Sequence, residues 1–599
     1  MKWYPNNRIH PMLVAATSMS IQWAAAQEST QLPEIDALPS QVATPDLPAE
    51  LNEILPPVEE ARPEPSTNVA VNLTALLVKK GLLTKEEGLA LIAQAEAEAK
   101  AAAAATATAP SVLPAVEEDE VSVTYVPKVV RDNIRDEIKQ EILAEASEQQ
   151  WGQPEAAQWT NRIRPIIDLR TRHQSFMYAD GNDNSGVFPN FNVINTGLPF
   201  DTTGNQFSPQ FNVDQNRSRM LQRARFGAEI DIDDGFMAGI RMATGNGTSP
   251  VTTNQTLGGG PGSFSRYPLW LDRAFLDIKI VDESDSKFNI MLGRFDNPFF
   301  STDVVWDLDI GFDGIGFKGN QVLNRDLTFF YAGGLFPIFN TALDFAINQP
   351  KKFESYDKWL YGAQVGIDWR INEKTTARLA SAYYDFDNIE GKLSSPFVPL
   401  TPEDIGDTDA SRPGFAQRGN TYRPIRNILP TAANNFGTIN QFQYYGLATP
   451  FQVISNTGRL DYDLLSGHRL SLISEYSRNI AFDAGSVQSI AVNNRNGSGA
   501  FDGGNNAYNM LFQFGKPAFE VRGDWSVTMG YRYVESDAVV DGFTDSEFSA
   551  GTNIKGFSLG GVMAINPHTR AGVRWMSCDE VSGAPFGVDI FQFELNANF

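Results

Sequence analysis

From Asn161 onward, apolar and polar residues alternate in runs long enough to be strands, and the runs are separated by stretches rich in Gly, Asn and Asp. The final run is the most regular. In Gly587 to Phe599, the residues Phe591, Phe593, Leu595, Ala597 and Phe599 share one face, while Gln592, Glu594, Asn596 and Asn598 share the other. Upstream, Trp525, Val527, Met529, Tyr531 and Tyr533 alternate with Asp524, Ser526, Thr528, Gly530 and Arg532. The run Trp359, Tyr361, Ala363, Val365, Ile367 and Trp369 has the same form, with aromatics at its ends and aliphatics between. Near residue 219 the apolar face is Ala224, Phe226, Ala228, Ile230 and Ile232, and the polar face carries Arg219, Arg223, Arg225, Glu229 and Asp231. Charges on the face opposite such a band place water inside a closed sheet and hydrocarbon outside it, the inverse of a soluble sandwich.

The pattern predicts sixteen strands, beginning near residues 162, 219, 236, 268, 287, 311, 326, 358, 374, 452, 467, 505, 523, 554, 569 and 587. Short connections such as Asp233-Asp234-Gly235 alternate with long ones at 176–218, 247–267, 297–310, 337–357, 388–450, 481–504 and 536–553, only the last connection on the long side, 579–586, being brief. An even strand count with turns at one end and loops at the other predicts an all-β, 16-stranded antiparallel transmembrane barrel over 160–599, both of its ends being periplasmic. Ten residues at ~3.3 Å, tilted by ~45°, span the ~25 Å apolar band of such a barrel. No run of eighteen apolar residues follows the leader, which excludes helical spans but not strands.

The preceding part of the chain differs in composition. Residues 1–26 read as a signal peptide, with Lys2 and Arg8 before a moderately apolar segment and an Ala24-Ala25-Ala26 cleavage site. Residues 27–67 are rich in Pro, Glu and Ala and predict a disordered linker; 68–150 predict periplasmic helical segments. Thr84 to Glu87 has capping-box spacing, and Val130, Ile134, Ile138 and Ile142 make a narrow apolar stripe. That stripe leaves open a small bundle, a contact with the cell wall, or a helix packed on its own neighbour. The net charge is −24; nine basic and twenty-three acidic residues give 27–150 a net of −14, so the acidity lies chiefly in the arm and argues against nucleic acid as a partner. The single cysteine, Cys578, excludes an internal disulfide, and its position excludes a lipoprotein anchor.

Several stretches resemble a porin family of Gram-negative outer membranes whose members carry an N-terminal helical arm. They are Leu82 to Glu87, Gly293 to Asp303, Lys358 to Tyr361, Tyr383 to Phe386, Arg522 to Trp525, Tyr531 to Tyr533, Asp545-Ser546, Gly551 to Asn553 and the closing Leu595 to Phe599. The resemblance implies a passive channel for small hydrophilic solutes and ions in the outer membrane. It also implies that Phe599 serves as the signal read by the barrel assembly machinery, and that the third long loop, 297–310, folds inward to narrow the lumen. A homotrimer is left open. The proline-rich 27–67 is not part of the pattern, and 388–450 is longer than it.

On that reading Asp303, Asp307 and Asp309 of the loop face Arg219, Arg223, Arg225, Arg241 and Arg273 of the wall across a transverse field, with Phe299, Phe300 and Trp306 as anchors. The competing reading is that these arginines pair with Glu229, Asp231 and Asp277 for barrel stability. Arg294 is a further pore-lining candidate; strict alternation aims it at lipid unless a bulge at Gly293 turns it inward. No metal or cofactor is expected, since Asp307, Asp309 and Asp313 lack calcium-loop spacing. The rival functions are an envelope-to-wall tether and a barrel hydrolase. The hydrolase is disfavoured because, of four histidines, only His173 lies near the loop end.

Overall fold

The computed structural model describes residues 159–200, 208–347, 349–437, 442–464 and 467–599. The expected leader 1–26, linker 27–67 and helices of 68–150 lie outside the described residues. The wall strands are β1 (Ile163–Tyr178), β2 (Arg217–Asp233), β3 (Phe236–Ala243), β5 (Trp270–Asp282), β6 (Ser286–Asp296), β7 (Gly311–Asn324), β8 (Leu327–Phe339), β9 (Lys358–Asn372) and β10 (Thr375–Asp387). They continue as β13 (Phe451–Asp463), β14 (Arg469–Asn479), β15 (Asn506–Gly515), β16 (Trp525–Val534), β17 (Ile554–Asn566), β18 (Thr569–Glu580) and β19 (Gly587–Asn598). Every start falls within two residues of its expected position.

Each wall strand pairs antiparallel with its chain neighbour, and β1 pairs with both β2 and β19, so the sixteen close into a barrel. Ile167 and Phe599 exchange both of their backbone hydrogen bonds, at 3.1 and 2.8 Å, which zips the seam to the last residue. Closure matters energetically because an unpaired strand edge has no water to bond in hydrocarbon. Three further strands lie inside the long loops: β4 (Gln255–Thr256), which pairs with β2, and β11 (Tyr422–Pro424), which pairs with β12 (Tyr445–Leu447). Elements of two or three residues carry no period, and the sequence did not announce them.

Outward alternation is as expected. Trp525, Val527 and Met529 are 38, 43 and 59% exposed, whereas Ser526 and Arg532 are buried. The tight turns match their residues; at Asp233-Asp234-Gly235 all three adopt positive φ, and Arg162 pairs with Asp233 at 2.5 Å. The principal apolar core lies inside the barrel and between the long loops. It unites Phe299 and Trp306 with Tyr384 of β10, Tyr422 of β11, Val539 and Phe586.

Candidate functional site: the inward loop and its arginine sector

The segment 297–310 leaves β6, crosses the interior and returns to β7. A chain of specific contacts fixes its course. Asn297 caps its first turn by accepting from Phe299 N at 2.9 Å. The Phe299 ring packs edge-on to Phe312, Phe336 and Tyr384, with centroids 5.0–6.1 Å apart. It sits over Gly362 of β9, where a Cβ would stand 2.6 Å from the ring. The amide of Gln364 clamps Phe300, accepting from its N at 2.7 Å and donating to its O at 2.8 Å. Across the lumen, Thr302 donates to Glu475 of β14, and Asp303 pairs with Arg532 of β16, which also holds Asp545 at 2.7 Å.

The middle of the loop is apolar and buried, Trp306 lying against Phe312, Tyr384, Phe386 and Phe543. Asp307 does not meet the wall arginines: it is held by backbone donors, accepting from Asp309 N and Ser546 N at 2.7 and 2.9 Å. Asp309 ends the crossing. It accepts from Thr253 N at 3.0 Å and pairs with Arg225, with Arg223 at 3.8 Å. The loop thus touches β9, β14 and β16 on its way across and the β2 arginines on its return, and it runs beside a polar sector formed by the inward faces of β18, β19, β1 and β2.

That sector is lined by inward residues of alternating strands. Asp168, Arg170, Arg172 and Gln174 come from β1; Arg219, Arg223 and Arg225 from β2; Arg574 from β18; and Gln592 and Glu594 from β19. Glu547 descends from the loop 535–553 and pairs with Arg172, with Arg574 at 3.4 Å and with Arg170 at 3.7 Å. Arg172 also holds Glu594 at 2.6 Å, and Arg223 holds Asp168 at 2.7 Å. Six guanidiniums (170, 172, 219, 223, 225, 574) meet four carboxylates (168, 309, 547, 594), a net of +2. Among the described residues, Arg170 Nε, Arg223 Nε and Gln592 Nε2 are buried donors without an acceptor. A cavity of about 130 Å³ lies against Arg172, Arg574, Gln592 and Glu594.

The structure divides the expected residues. It brings Arg223 and Arg225 to Asp309, with Arg219 on the same strand. It does not bring Arg241 and Arg273 there: both close on Asp272 and Asp296, and Arg273 donates to Ile310 O at 2.9 Å, buttressing the root of the loop. Asp277 accepts from Asn289 at 2.7 Å and Glu229 pairs with Arg164 at 2.8 Å, so the wall arginines use other acids than those expected. Arg294 does not turn inward. The register through Gly293 has no bulge, and Arg294 keeps the outward parity of Leu292, pairing with Asp313 at 2.7 Å. His173 shares the outward parity of Leu169 on β1.

Sequence reasoning missed Arg170, Arg172, Gln364, Glu475, Arg532, Glu547 and Glu594. Alternation alone puts Arg170 and Arg172 with Asp168, and Arg532 with Ser526; the contacts of Gln364 and Glu475 with the loop have no local signature.

The loops 388–450 and 535–553 meet above this site through buried acids. Asp537 accepts from Thr421 N and Oγ1 at 2.9 and 2.6 Å, and Asp541 accepts from Tyr422 Oη at 3.0 Å. Burial pushes Asp537 up to about 6 and Asp541 up to about 7, the neighbouring Asp537 charge adding to the latter. A carboxyl whose packed-state pKa exceeds its free value favours packing when protonated, and that advantage falls as pH rises from ~4 through the packed-state values. Cleavage within 388–450 by a protease active at both pH values is therefore expected to be slower at pH 5 than at pH 8. Asp541→Asn is expected to shrink the difference; equal rates in the wild type would contradict this.

The profile of a family described as "Putative porin" matches residues 67–599. No curated protein matches the sequence. Among solved structures, OprB of Pseudomonas putida is 10% identical, with 75% of this chain and 97% of that chain covered and a TM-score of 0.39. DcaP, an outer membrane channel of Acinetobacter baumannii, is 10% identical, with 73 and 97% covered and a TM-score of 0.33. Salmonella typhi OmpF is also 10% identical, with 73 and 97% covered and a TM-score of 0.34.

Proposed function

Since this chain belongs to the putative porin family and is an outer-membrane channel for passive diffusion, we propose that solutes pass beside the 297–310 loop through the arginine sector, and that this eyelet favours anions. The supporting observation is that the six guanidiniums of this wall outnumber its four carboxylates by two, beside a cavity of about 130 Å³. Family membership points to a channel rather than an enzyme. On this reading the long loops are extracellular, the short turns periplasmic and the arm of 68–150 periplasmic, where it is available for contact with the cell wall.

Two partners follow from the outer surface. Thr171 bonds Gln222 at 2.9 Å and Ser175 bonds Ser218 at 2.8 Å, a polar stripe on the outward parity of β1 and β2. Polar groups facing acyl chains are costly, which supports a second copy of the chain there, as in a homotrimer. The remaining circumference faces outer-membrane lipid. Phe599, at the seam, is the proposed handle for the barrel assembly machinery; its deletion is expected to lower the amount of assembled protein without changing the conductance of what assembles, and normal accumulation would contradict this.

The test of permeation is swelling of liposomes containing the purified protein. Small neutral and anionic solutes are expected to enter at rates falling steeply with size, anions ahead of cations of equal size. Swelling no faster than protein-free liposomes would refute the proposal.

A further inference from the structure

Above the eyelet lies a second cavity, of about 300 Å³, walled by Phe176, Tyr178, Phe211, Arg219, Arg418 and Phe586. Its rings form a continuous face. Tyr178 stacks with Phe176 at 6.5 Å and stands edge-on to Phe586 at 6.2 Å, and Phe188 continues the row at 5.7 Å from Phe586. The guanidinium of Arg418 lies 3.8 Å from the Phe586 ring centroid, and that of Arg219 lies 5.4 Å from that of Phe176.

The two arginines differ in charge balance. Arg418 is paired with Glu580. Arg219 instead directs Nε and Nη2 at one neutral acceptor, Gln174 Oε1, at 3.0 and 2.8 Å. Among the described residues, Arg170, Arg172, Arg223, Arg225 and Arg574 each have a carboxylate within reach, whereas Arg219 has none. Its positive charge therefore faces a cavity where four rings, Phe176, Tyr178, Phe211 and Phe586, share the lining with Arg418, which Glu580 neutralises, and with Glu547, which is paired to Arg172. The cavity is of a size that holds a small ligand. Outward it shares Phe211, Gln417 and Arg418 with a larger space of about 450 Å³. Inward, Glu547 lines it and bonds Arg172, which lines the eyelet cavity.

We propose that this cavity binds small aromatic carboxylates in transit, the carboxylate on Arg219 and the ring against Phe176, Phe211 and Phe586. An inorganic anion satisfies the guanidinium but leaves the rings facing water. A neutral aromatic covers the rings but leaves the charge unbalanced. Only a ligand with both parts uses the whole site, and on leaving it meets Arg172 and Arg574 as the next donors. This inference rests on the channel reading.

The test is current interruption in planar bilayers holding the purified full-length protein in potassium chloride. Sodium benzoate, sodium acetate, sodium phosphate and benzyl alcohol are each added on the long-loop side. Benzoate is expected to interrupt the current at roughly tenfold lower concentration than acetate or phosphate, the size of one added ring contact. Benzyl alcohol is expected to have no effect in that range. Phe211→Ala should bring benzoate to the potency of acetate, and Arg219→Gln should abolish interruption by benzoate at the wild-type concentration. Phe586→Ala, checked for assembly by heat-modifiable migration, provides a second ring variant. Equal potency of benzoate and acetate or phosphate, or undiminished interruption in Arg219→Gln, overturns the proposal while leaving the channel intact. Absence of any current before addition would instead overturn the channel reading on which it stands.

Discussion

Replacing Arg223 and Arg225 together by serine is expected to move the reversal potential in a potassium chloride gradient toward the potassium side. Both guanidiniums belong to the proposed eyelet and pair with Asp168 and Asp309. In water a unit charge ~8 Å from a passing ion is worth about 0.5 kcal/mol, and it acts with opposite sign on chloride and potassium. Two charges removed therefore lower the chloride-to-potassium permeability ratio by roughly five- to tenfold, after allowance for a Debye length of ~10 Å at 0.1 M salt. The carboxylates of Asp168 and Asp309, left without these partners, push in the same direction. Arg241→Gln and Arg273→Gln are the matched controls, since both side chains close on Asp272 and Asp296 at the root of the loop. An unchanged reversal potential in the double variant would mean that ions do not pass the β1–β2 wall.

The second large effect is expected from Arg532→Met. Arg532 is buried and holds two carboxylates, Asp303 of the inward loop and Asp545 of the loop 535–553. Removing one partner of a buried ion pair costs about 3–5 kcal/mol, because the remaining charge is stranded. The local remedy is to release 297–310 from β16. Single-channel conductance should rise severalfold and become noisy, while the barrel still migrates as a folded species. Asp303→Asn should act in the same direction but less, since an amide can still accept from Arg532. Unaltered conductance in both variants would mean that the loop does not set the width of the passage.

The barrel was legible because two local signals agreed along most of the chain. Alternation set each strand's two faces, and turn residues such as Asp233-Asp234-Gly235 set its ends, so no long-range information was required. The inward fold of 297–310 came instead from the family resemblance. What holds that loop was illegible for a physical reason: Gln364, Glu475 and Arg532 lie 64 to 229 positions from the loop residues they bind, and nothing local marks them. Arg170 and Arg172 are a different case, because their parity with Asp168 was present in the sequence. Arg241 and Arg273 share inward parity with the eyelet arginines, but parity gives a face and not a partner. Asp272, displaced by the register shift between Arg241 and Met242, captures both. Arg294 shows the converse, since Gly293 invited a bulge and the ladder with β7 runs straight past it.

The most direct measurement of the whole account is the current through single molecules of the purified, folded protein in a planar bilayer. Discrete current steps, linear in voltage and with a reversal potential on the chloride side in a salt gradient, are the predicted result. A heat-modifiable, fully assembled barrel that passes no current would contradict it.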